Sequence, residues 1–429
     1  MRWMGLAVLW AGCGPRPAVA PDLPASTGPV PELPARWAGP AELSRVSLIA
    51  VGDLLMHTNV KHAARAANTV DDAGASLNHE GYAALFERVP WVADADLAFA
   101  NLETPVAPTA HRGTRSMVFN VTPALLPALQ QTGFDVLSFA NNHVYDQGRA
   151  GLIETIENLD ASGMTWIGAG QTCADARRAR RTTVKGIDIA WIGASKVFND
   201  NMNRGPDEAC AFELDVEAAL QEAAAARQDG AELVIMSLHW GHEYHLTPSA
   251  PEVEDARRLM DGGVDLILGH HPHVVQPVEI RDTPDGRVAI TAYSLGNFIS
   301  NQAYDYRHGT HTLDHGNPRD GLALSLDIVK KDYGPDASGE PQVRVALANV
   351  LAIPLWTEND AGRIVHPSPT IRVVKTSEAL HAAHAELEHA SSPAEVRAAQ
   401  ARIELLSDRW RQVESVVGSR LVPTFGSER

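Results

Sequence analysis

Six histidines stand in two short clusters, and each cluster follows an apolar run typical of a buried strand. The first cluster lies in Leu238-His-Trp-Gly-His-Glu-Tyr-His and the second in Leu268-Gly-His-His-Pro-His-Val-Val. In open α/β sheets, ligands and catalytic groups gather just past the carboxyl ends of the strands. Imidazole at such a position can bind a metal ion or transfer a proton. The two clusters therefore predict a chemical site.

Other short polar clusters also follow predicted strands. They are Val51-Gly-Asp53-Leu-Leu-Met-His57, Asn101-Leu-Glu103-Thr-Pro, Asn141-Asn142-His143-Val-Tyr-Asp146 and Ser294-Leu-Gly-Asn297-Phe. Each cluster alone has an ordinary explanation, since Asp after a strand often caps a helix and Asn-His often forms a turn. Together they supply the carboxylate, amide and imidazole ligands that divalent metals take from several loops. Their joint occurrence favours a metal site.

The elements that must position these residues alternate between strand and helix patterns from Ser44 to about Asn301, which is typical of an α/β domain. The predicted strands span 46–51, 96–100, 135–140, 232–238 and 264–269. Helices are predicted over 82–93, from Thr122, and over 148–160 and 214–227, with a hairpin over 183–194.

The alternation of strand and helix patterns ends after Val274. Four strand candidates follow one another and predict a second, more antiparallel sheet; they span 274–280, 287–293, 321–329 and 343–353. Two helices are then predicted over 376–390 and 393–417. An apolar stripe on the second helix predicts packing against the body, with a partner helix as the alternative.

The combined motifs resemble those of the CapA family, which is associated with bacterial capsule and poly-γ-glutamate synthesis. The resemblance covers roughly Ser44 to Asn301. It implies a fold similar to that of calcineurin-like metallophosphoesterases. We therefore expect an α/β fold of four layers, an α/β/β/α sandwich of two mixed sheets flanked by helices, with a C-terminal helical extension.

The resemblance also implies roles for single residues. Asp53 and His273 would bind one divalent metal, with Mn and Zn as the candidates, and Glu103 would bridge to a second. The expected ligands of the second metal are Asn142, His239 and His271. His143 would protonate the leaving group. Further catalytic candidates are Glu243 and Asp146, although Asp146 could instead only brace His143. The expected substrate-binding residues are His57, Asn101, Asn141, Tyr244, His270 and Asn297.

Two residues depart from the metallophosphoesterase pattern. The histidine of the first motif stands two residues after Asp in that pattern, but His57 stands four residues after Asp53. The bridging position carries Glu103 where Asp is usual. Three functions therefore stay open: a CapA-type protein that acts on a capsule polymer such as poly-γ-glutamate, a general metal-dependent phosphoesterase, and a polymer-binding module without catalysis.

The charge composition of the chain narrows the classes of molecule that it can bind. The net charge of −17 and the lack of a basic patch argue against nucleic acid. An anionic polymer is the harder ligand to reconcile with this charge. A metal, or the basic residues Arg112, Arg115, Lys196 and Arg204, would have to supply local positive potential. We expect an anionic cell-surface polymer or a phosphoester as substrate, with capsule-synthesis proteins as possible partners.

The first residues predict export. Residues 1–13 are typical of a lipoprotein leader, in which Cys13 would be acylated and would anchor the chain to a membrane; an ordinary secretory signal cut near Ala18 to Ala20 is the alternative. Residues 14–43 form a proline-rich tether, 44–375 the main domain and 376–429 a helical appendage. Cys173 and Cys210 remain as a pair, which predicts a disulfide in an exported protein.

Overall fold

A computed structural model describes most of the chain after residue 40. The described residues are 41–66, 78–110, 112, 117–336, 338–362 and 369–423. The expected leader, Cys13 and most of the tether lie outside them. The first strand begins at Ala41, three residues before the expected start of the main domain.

The described strands run from one end of this range to the other. They are β1 (Ala41–Leu54), β2 (Leu97–Leu102), β3 (Val136–Ser138), β4 (Thr165–Ile167), β5 (Ala169–Gly170), β6 (Arg180–Val184), β7 (Ile187–Ser195), β8 (Cys210–Ala211), β9 (Leu233–His239), β10 (Leu266–His270), β11 (Val278–Asp282), β12 (Val288–Ala292), β13 (Asn297–Ile299), β14 (Asp320–Pro335), β15 (Pro341–Asn359) and β16 (Ile371–Lys375).

Helices connect these strands and close the chain. They are α1 (Thr58–Ala66), α2 (His79–Ala84), α3 (Leu125–Thr132), α4 (Gly148–Ser162), α5 (Cys173–Arg177), α6 (Val216–Gln228), α7 (Ala250–Asp261), α8 (Thr376–Glu388) and α9 (Pro393–Val417). Short 3-10 helices occupy Pro90–Val92 and Leu313–Arg319.

Fourteen of the described strands form two mixed sheets, and β5 and β8 form a separate two-stranded pair. The larger has the order β16-β15-β14-β1-β2-β3-β4, with β13 also paired to β1, and the smaller has the order β11-β12-β10-β9-β7-β6. The core between them takes every second residue of β1, namely Val46, Leu48 and Ala50. Ile49 and Val51 point the other way, toward the layer that contains α3 and α4. Since α6 and α7 cover the smaller sheet, the molecule is the expected α/β/β/α sandwich.

The prediction of a separate antiparallel sheet after Val274 is wrong. β11 and β12 extend the smaller sheet, because β12 pairs in parallel with β10. β14 and β15 extend the larger sheet, because β14 pairs antiparallel with β1 over most of its length. Alternation along a strand shows that it has a buried face, but it does not show which strand lies beside it.

Two predicted helices are also different in the structure. The helix predicted over 82–93 is divided into α2 and the 3-10 helix at Pro90–Val92, because the proline cannot donate to a continuing helix. The helix expected from Thr122 begins at Leu125, with Ala124 at its N-cap. The hairpin predicted over 183–194 is present as β6 and β7.

The C-terminal helix packs against the body, as its apolar stripe predicts. Trp410 and Val413 of α9 join the core between the sheets. Arg409, on the same helix, is 1% exposed and hydrogen-bonds both carboxylate oxygens of Asp320, at 3.1 and 2.6 Å. Its guanidinium also donates to Leu313 O and to Asn317 Oδ1. This contact fixes the 3-10 helix Leu313–Arg319 to α9.

The expected disulfide is confirmed. Cys173 and Cys210 are bonded, with their Cα atoms 5.0 Å apart. The bond joins α5 to β8 across a separation of 37 residues in the chain. Within the described part of the chain, none of the helices combines the length and apolar character needed to cross a membrane.

Candidate metal centre

The polar residues converge because their strands are in register. Asp53 at the end of β1 lies opposite Asn101 of β2 and Asn297 of β13. In the smaller sheet, His239 of β9 lies opposite His270 of β10. The carboxyl ends of both sheets meet at this edge of the sandwich, which places side chains from distant parts of the sequence beside one another.

Glycine next to Asp53 permits this close approach. A Cβ on Gly52 would lie 1.8 Å from the carbonyl oxygen of Gly296. That carbonyl accepts a hydrogen bond of 3.0 Å from the Asp53 amide. Any larger residue at position 52 would force β1 away from the segment that carries Asn297. The glycine in the Val51-Gly-Asp53 motif is therefore a packing requirement of the site.

Asp53, Glu103 and His273 form the first potential ligand group, with one ligand atom from each lying within 4.8 Å of the others. The three residues are completely buried. Nδ1 of His273 lies 3.0 Å from Asp53 Oδ2 and 3.1 Å from Asn297 Oδ1. These partners orient the ring so that Nε2 faces Glu103 Oε1 at 3.7 Å.

Glu103, His239 and His271 form the second group within the same limit. His239 Nε2 lies 3.7 Å from Glu103 Oε1 and 3.0 Å from the amide oxygen of Asn142. The rings of His239 and His271 have their centroids 4.8 Å apart. Glu103 thus belongs to both groups, in the position where the sequence predicts a bridging ligand.

Several buried polar atoms in these groups have no hydrogen-bond partner. They are Glu103 Oε1, His271 Nδ1 and His273 Nε2. A buried acceptor that is left unpaired costs about 1–3 kcal/mol, and a charged one costs more. Metal coordination satisfies such atoms, and oxygen and imidazole nitrogen are suitable donors for divalent ions such as Mn²⁺ and Zn²⁺. The residues present therefore fit a divalent metal site.

The two carboxylates of the site differ in how their surroundings affect their ionisation. Burial opposes ionisation of Asp53, but hydrogen bonds from His270 and His273 outweigh it and hold the pKa of Asp53 well below its usual value. Burial raises the pKa of Glu103 well above its usual value, and the neighbouring charge of Asp53 adds to this effect. Without a cation, Glu103 favours a proton, because a second negative charge beside Asp53 is unstable in a buried site.

The histidines of the second group are held in the neutral form that binds metals. Burial lowers the pKa of His239 well below its usual value. Burial also lowers the pKa of His271 to about 3, with the nearby His273 as a smaller cause. Both rings therefore offer a nitrogen lone pair at neutral pH.

His143 lies at the edge of the ligand groups. Its Nδ1 is 2.8 Å from Asp146 Oδ2, and its Nε2 is 4.0 Å from Glu103 Oε1. Asp146 Oδ2 also accepts a hydrogen bond of 2.5 Å from the Phe119 amide. The Asp146 carboxylate thus contacts Nδ1, whereas Nε2 is the ring nitrogen that faces Glu103. Asp146 therefore has the geometry of a residue that positions His143.

The residues predicted to bind substrate divide into two sets. Four are 0–1% exposed and contact other residues of the site, which leaves them little surface for a substrate; they are Asn101, Asn141, His270 and Asn297. Asn101 Nδ2 donates to Asp53 and Glu103, and His270 Nδ1 lies 3.1 Å from Asp53 Oδ1. Their geometry is that of supports for the ligands.

His57 and Tyr244 form the other set. Both line a cavity of about 860 Å³ beside the ligand groups. His57 is absent from the potential ligand groups of the described residues, in agreement with its shifted place in the first motif. Glu243 lies beside His271 and His273 and forms a third potential group with them.

Two further residues of the site were missed in the sequence. Asn199 Oδ1 accepts a hydrogen bond from Asn142 Nδ2 at 3.3 Å, and Asn199 Nδ2 lies 3.4 Å from His143 Nδ1. The Phe119 ring packs 4.4 Å from the His143 ring. Asn199 follows the carboxyl end of β7, which was a usable signal. Phe119 follows no predicted strand, and no pattern in the sequence indicated it.

Comparison with known families agrees with this architecture. Residues 47–302 match the family described as bacterial capsule synthesis protein PGA_cap. The chain belongs to this family. The resemblance to CapA proteins is therefore confirmed, and the family is associated with capsule and polyglutamate synthesis.

Two Bacillus proteins illustrate the relationship. The chain is 26% identical over 296 residues to the capsule biosynthesis protein CapA of Bacillus anthracis, which covers 67% of each chain. It is 27% identical over 280 residues to the PGA biosynthesis protein CapA of Bacillus subtilis strain 168, covering 62% of this chain and 69% of the relative.

Solved structures match at lower identity. The NAD nucleotidase NadN of Haemophilus influenzae is 13% identical with a TM-score of 0.40, over 86% of this chain and 60% of that one. The calcineurin-like phosphoesterase YfkN of Bacillus subtilis is 14% identical with a TM-score of 0.36, over 76% of this chain and 93% of that one.

Proposed function

We propose that this PGA_cap protein is a divalent-metal-dependent hydrolase that cleaves an amide bond of a capsule polymer of the poly-γ-glutamate type. The observation that carries the proposal is that Glu103 belongs to two ligand groups at once, one with Asp53 and His273 and one with His239 and His271. A single buried carboxylate shared in this way is the arrangement that holds two metal ions side by side.

The metal pair, when bound, supplies Lewis acidity at the scissile carbonyl and a nucleophile from water at neutral pH. The residues of the chain supply orientation and proton transfer. Asn101 keeps Asp53 and Glu103 in place through hydrogen bonds to both carboxylates. Asn297 orients His273 through its Nδ1.

His143 is the proposed proton donor. Its Nδ1 is engaged by Asp146, so its Nε2 faces the ligand groups. In the proposed reaction, the oxygen of water bonds to the carbonyl carbon, the carbon–nitrogen bond breaks, and the leaving nitrogen takes the proton from His143 Nε2. Of the two protons of the water, one returns to His143 and the other protonates the released amine, so that the products are a carboxylate and an ammonium group. A general acid of this kind contributes about 10²- to 10⁴-fold in rate.

The negative charges of the chain and of the polymer support a role for the metals in substrate binding as well. The chain carries a net charge of −17 and the polymer is also anionic. Two divalent ions at the carboxyl ends of the strands add four positive charges there, which offsets the local carboxylates and attracts an anionic chain at short range.

The test is metal analysis of the purified protein together with assays on two substrates. We expect about two divalent ions per chain and release of new amino groups from poly-γ-glutamate, with loss of both after chelation and recovery with Mn²⁺ or Zn²⁺. Cleavage of a phosphodiester alone would instead identify a general phosphoesterase. Polymer binding without cleavage by the metal-loaded protein would reduce the site to a recognition module.

A further inference from the structure

We infer that the cavity beside the metal centre binds the amino-terminal end of the polymer chain, with its aliphatic part against tyrosine rings and its ammonium group facing aspartates. We call it the rim cavity; it is defined by His57, Met117, Tyr244, Tyr304 and Asp305, and by Asp314. The inference rests on the proposed function, since it assigns a substrate group to the same site.

The rim cavity lies beside the ligand groups. Tyr244 lines it, and the Tyr244 ring lies 6.3 Å from the His273 ring. His57 lines it as well, and the His57 ring lies 4.9 Å from Phe119, which packs on His143. A cavity of about 860 Å³ holds a group of several residues. A chain bound at the metals would therefore extend into it.

The mouth of the cavity is apolar and exposed. Among the described residues, seven large hydrophobic side chains are exposed, and three of them line this cavity. They are Met117 at 41%, Tyr244 at 49% and Tyr304 at 51%. Exposed apolar groups gathered at one concave place mark a binding surface. Tyrosine rings suit the methylene groups of a glutamyl chain, because they cover aliphatic surface with rigid side chains.

The backbone holds this mouth in an unusual conformation. Met117, Tyr244 and Ala303 have positive φ angles of 64°, 66° and 49°. They are three of the seven such non-glycine residues among those described, and all three line the cavity. A strained residue of this kind is typical of sites where function requires a fixed side chain. The Tyr244 amide is held by Pro272 O at 2.8 Å.

The charge of the wall selects the ligand. No lysine or arginine occurs among the described residues that line the cavity, whereas Asp305 and Asp314 do. His315 Nε2 lies 2.9 Å from Asp305 Oδ1, and Asn317 Nδ2 donates to Asp314 at 3.4 Å. Burial lowers the pKa of His57 to about 4, so that ring adds no positive charge at neutral pH.

A wall of this charge favours an ammonium group and disfavours a carboxylate or phosphate. The polymer offers one ammonium group, at its amino terminus, while its free α-carboxylates are attracted to the metals. The two ends of the site thus have opposite preferences, and they orient the chain with its amino terminus in the rim cavity. Cleavage would then release short amino-terminal fragments.

The experiment measures binding of two synthetic probes, a γ-glutamyl pentamer with a free amino terminus and its N-acetylated form, by calorimetry on the metal-loaded protein. We expect the free pentamer to bind about 2- to 5-fold more tightly, the range for a partly exposed ion pair. Asp314→Asn should remove that difference, whereas Asp207→Asn, at an exposed aspartate outside the lining, should keep it. Tyr244→Ala should weaken both probes about tenfold, and Leu351→Ala should weaken neither.

Different outcomes test the rim-cavity inference and the proposed function separately. Equal binding of the two probes by a protein that holds its metals and cleaves the polymer would overturn the rim-cavity inference and leave the proposed function intact. Discrimination between the probes that depends on Asp314, in a protein that neither retains metal nor cleaves, would overturn the proposed function alone. Unchanged affinity in Tyr244→Ala would exclude the aromatic mouth as part of the binding site.

Discussion

At the scale of single residues, the main feature of the site is that two carboxyl groups are buried close together. Asp53 and Glu103 are both completely buried and are bridged by the same amide, Asn101. Hydrogen bonds to two histidines hold Asp53 ionised, whereas Glu103 keeps an unpaired oxygen. This asymmetry makes Glu103 the residue whose charge depends most on the metal.

Glu103→Gln tests that dependence. The variant should lose both metal ions, because the shared ligand is removed from both groups. In the presence of chelator it should be at least as stable as the wild type, because glutamine is neutral without a proton, whereas the buried Glu103 carboxyl must either take up a proton or stay charged beside Asp53. Elemental analysis and urea unfolding measure the two effects, with Glu157→Gln on the exposed face of α4 as control. A variant that retains two ions would contradict the bridging role.

His143→Ala separates proton transfer from metal binding. The His143 ring is outside the potential ligand groups of the described residues and is braced by Asp146. We expect full metal content and a loss of about 10²- to 10⁴-fold in kcat. His62→Ala on α1 should change neither quantity. Loss of metal in His143→Ala would assign the ring a structural or ligand role instead.

At the scale of elements, the C-terminal helix supports one wall of the rim cavity. Arg409 of α9 holds Asp320, Asn317 and the carbonyl of Leu313. The same segment offers the Pro318 carbonyl to Asn297, at 2.8 Å from Asn297 Nδ2. A helix at the end of the chain thus reaches, through two hydrogen-bonded contacts, the residue that orients His273.

Arg409→Met should destabilise the fold strongly. Removal of one partner of a buried ion pair costs about 3–5 kcal/mol, because Asp320 would stay buried without the guanidinium that hydrogen-bonds to it. The double variant Arg409→Met with Asp320→Asn should recover part of that loss. Arg411→Met removes an ion pair in which the arginine is exposed, so it should cost no more than about 1 kcal/mol. Urea unfolding compares the three; equal stability of Arg409→Met and Arg411→Met would refute the argument.

The elements also show what the sequence could predict. Asp53, His239 and His270 were placed at strand ends from local pattern alone, and parallel pairing brings such ends together. The sheet that β14 and β15 join could not be predicted, because both candidate sheets offered an apolar face. The supporting position of Asn101 could not be predicted either. An asparagine amide at the end of a strand can hydrogen-bond equally well to a metal-binding side chain or to a substrate. Only its burial in the structure shows which of these two roles it has.

At the scale of the whole molecule, one covalent bond adds to the noncovalent core. The Cys173–Cys210 disulfide ties α5 to β8, a small two-stranded region outside both main sheets. Since it closes a long loop, it restricts the unfolded chain.

Replacement of both cysteines by alanine should lower the free energy of unfolding by about 2–4 kcal/mol and leave metal content unchanged. The reason is that the bond closes the loop between α5 and β8 without contributing a ligand to the metal centre. Denaturant unfolding of the oxidised wild type and the double variant measures the difference. An unchanged unfolding midpoint would show that the short β5–β8 pair and its surroundings already fix the loop.

The residues that are expected to set the location of the protein lie outside the described range. We propose that it is exported and held at the cell envelope through an acylated Cys13, with the proline-rich residues that follow as a spacer, where a capsule polymer would be accessible. Cys13→Ser should then move the protein from the membrane fraction to the soluble fraction, because a chain that carries a net charge of −17 has no electrostatic attraction to anionic lipid. Detergent phase partition measures the shift, and metal content verifies that the body is still folded. Ser26→Ala within the spacer is the control, and it should stay with the membrane. Equal membrane retention of Cys13→Ser and the wild type would exclude lipid anchoring at this cysteine.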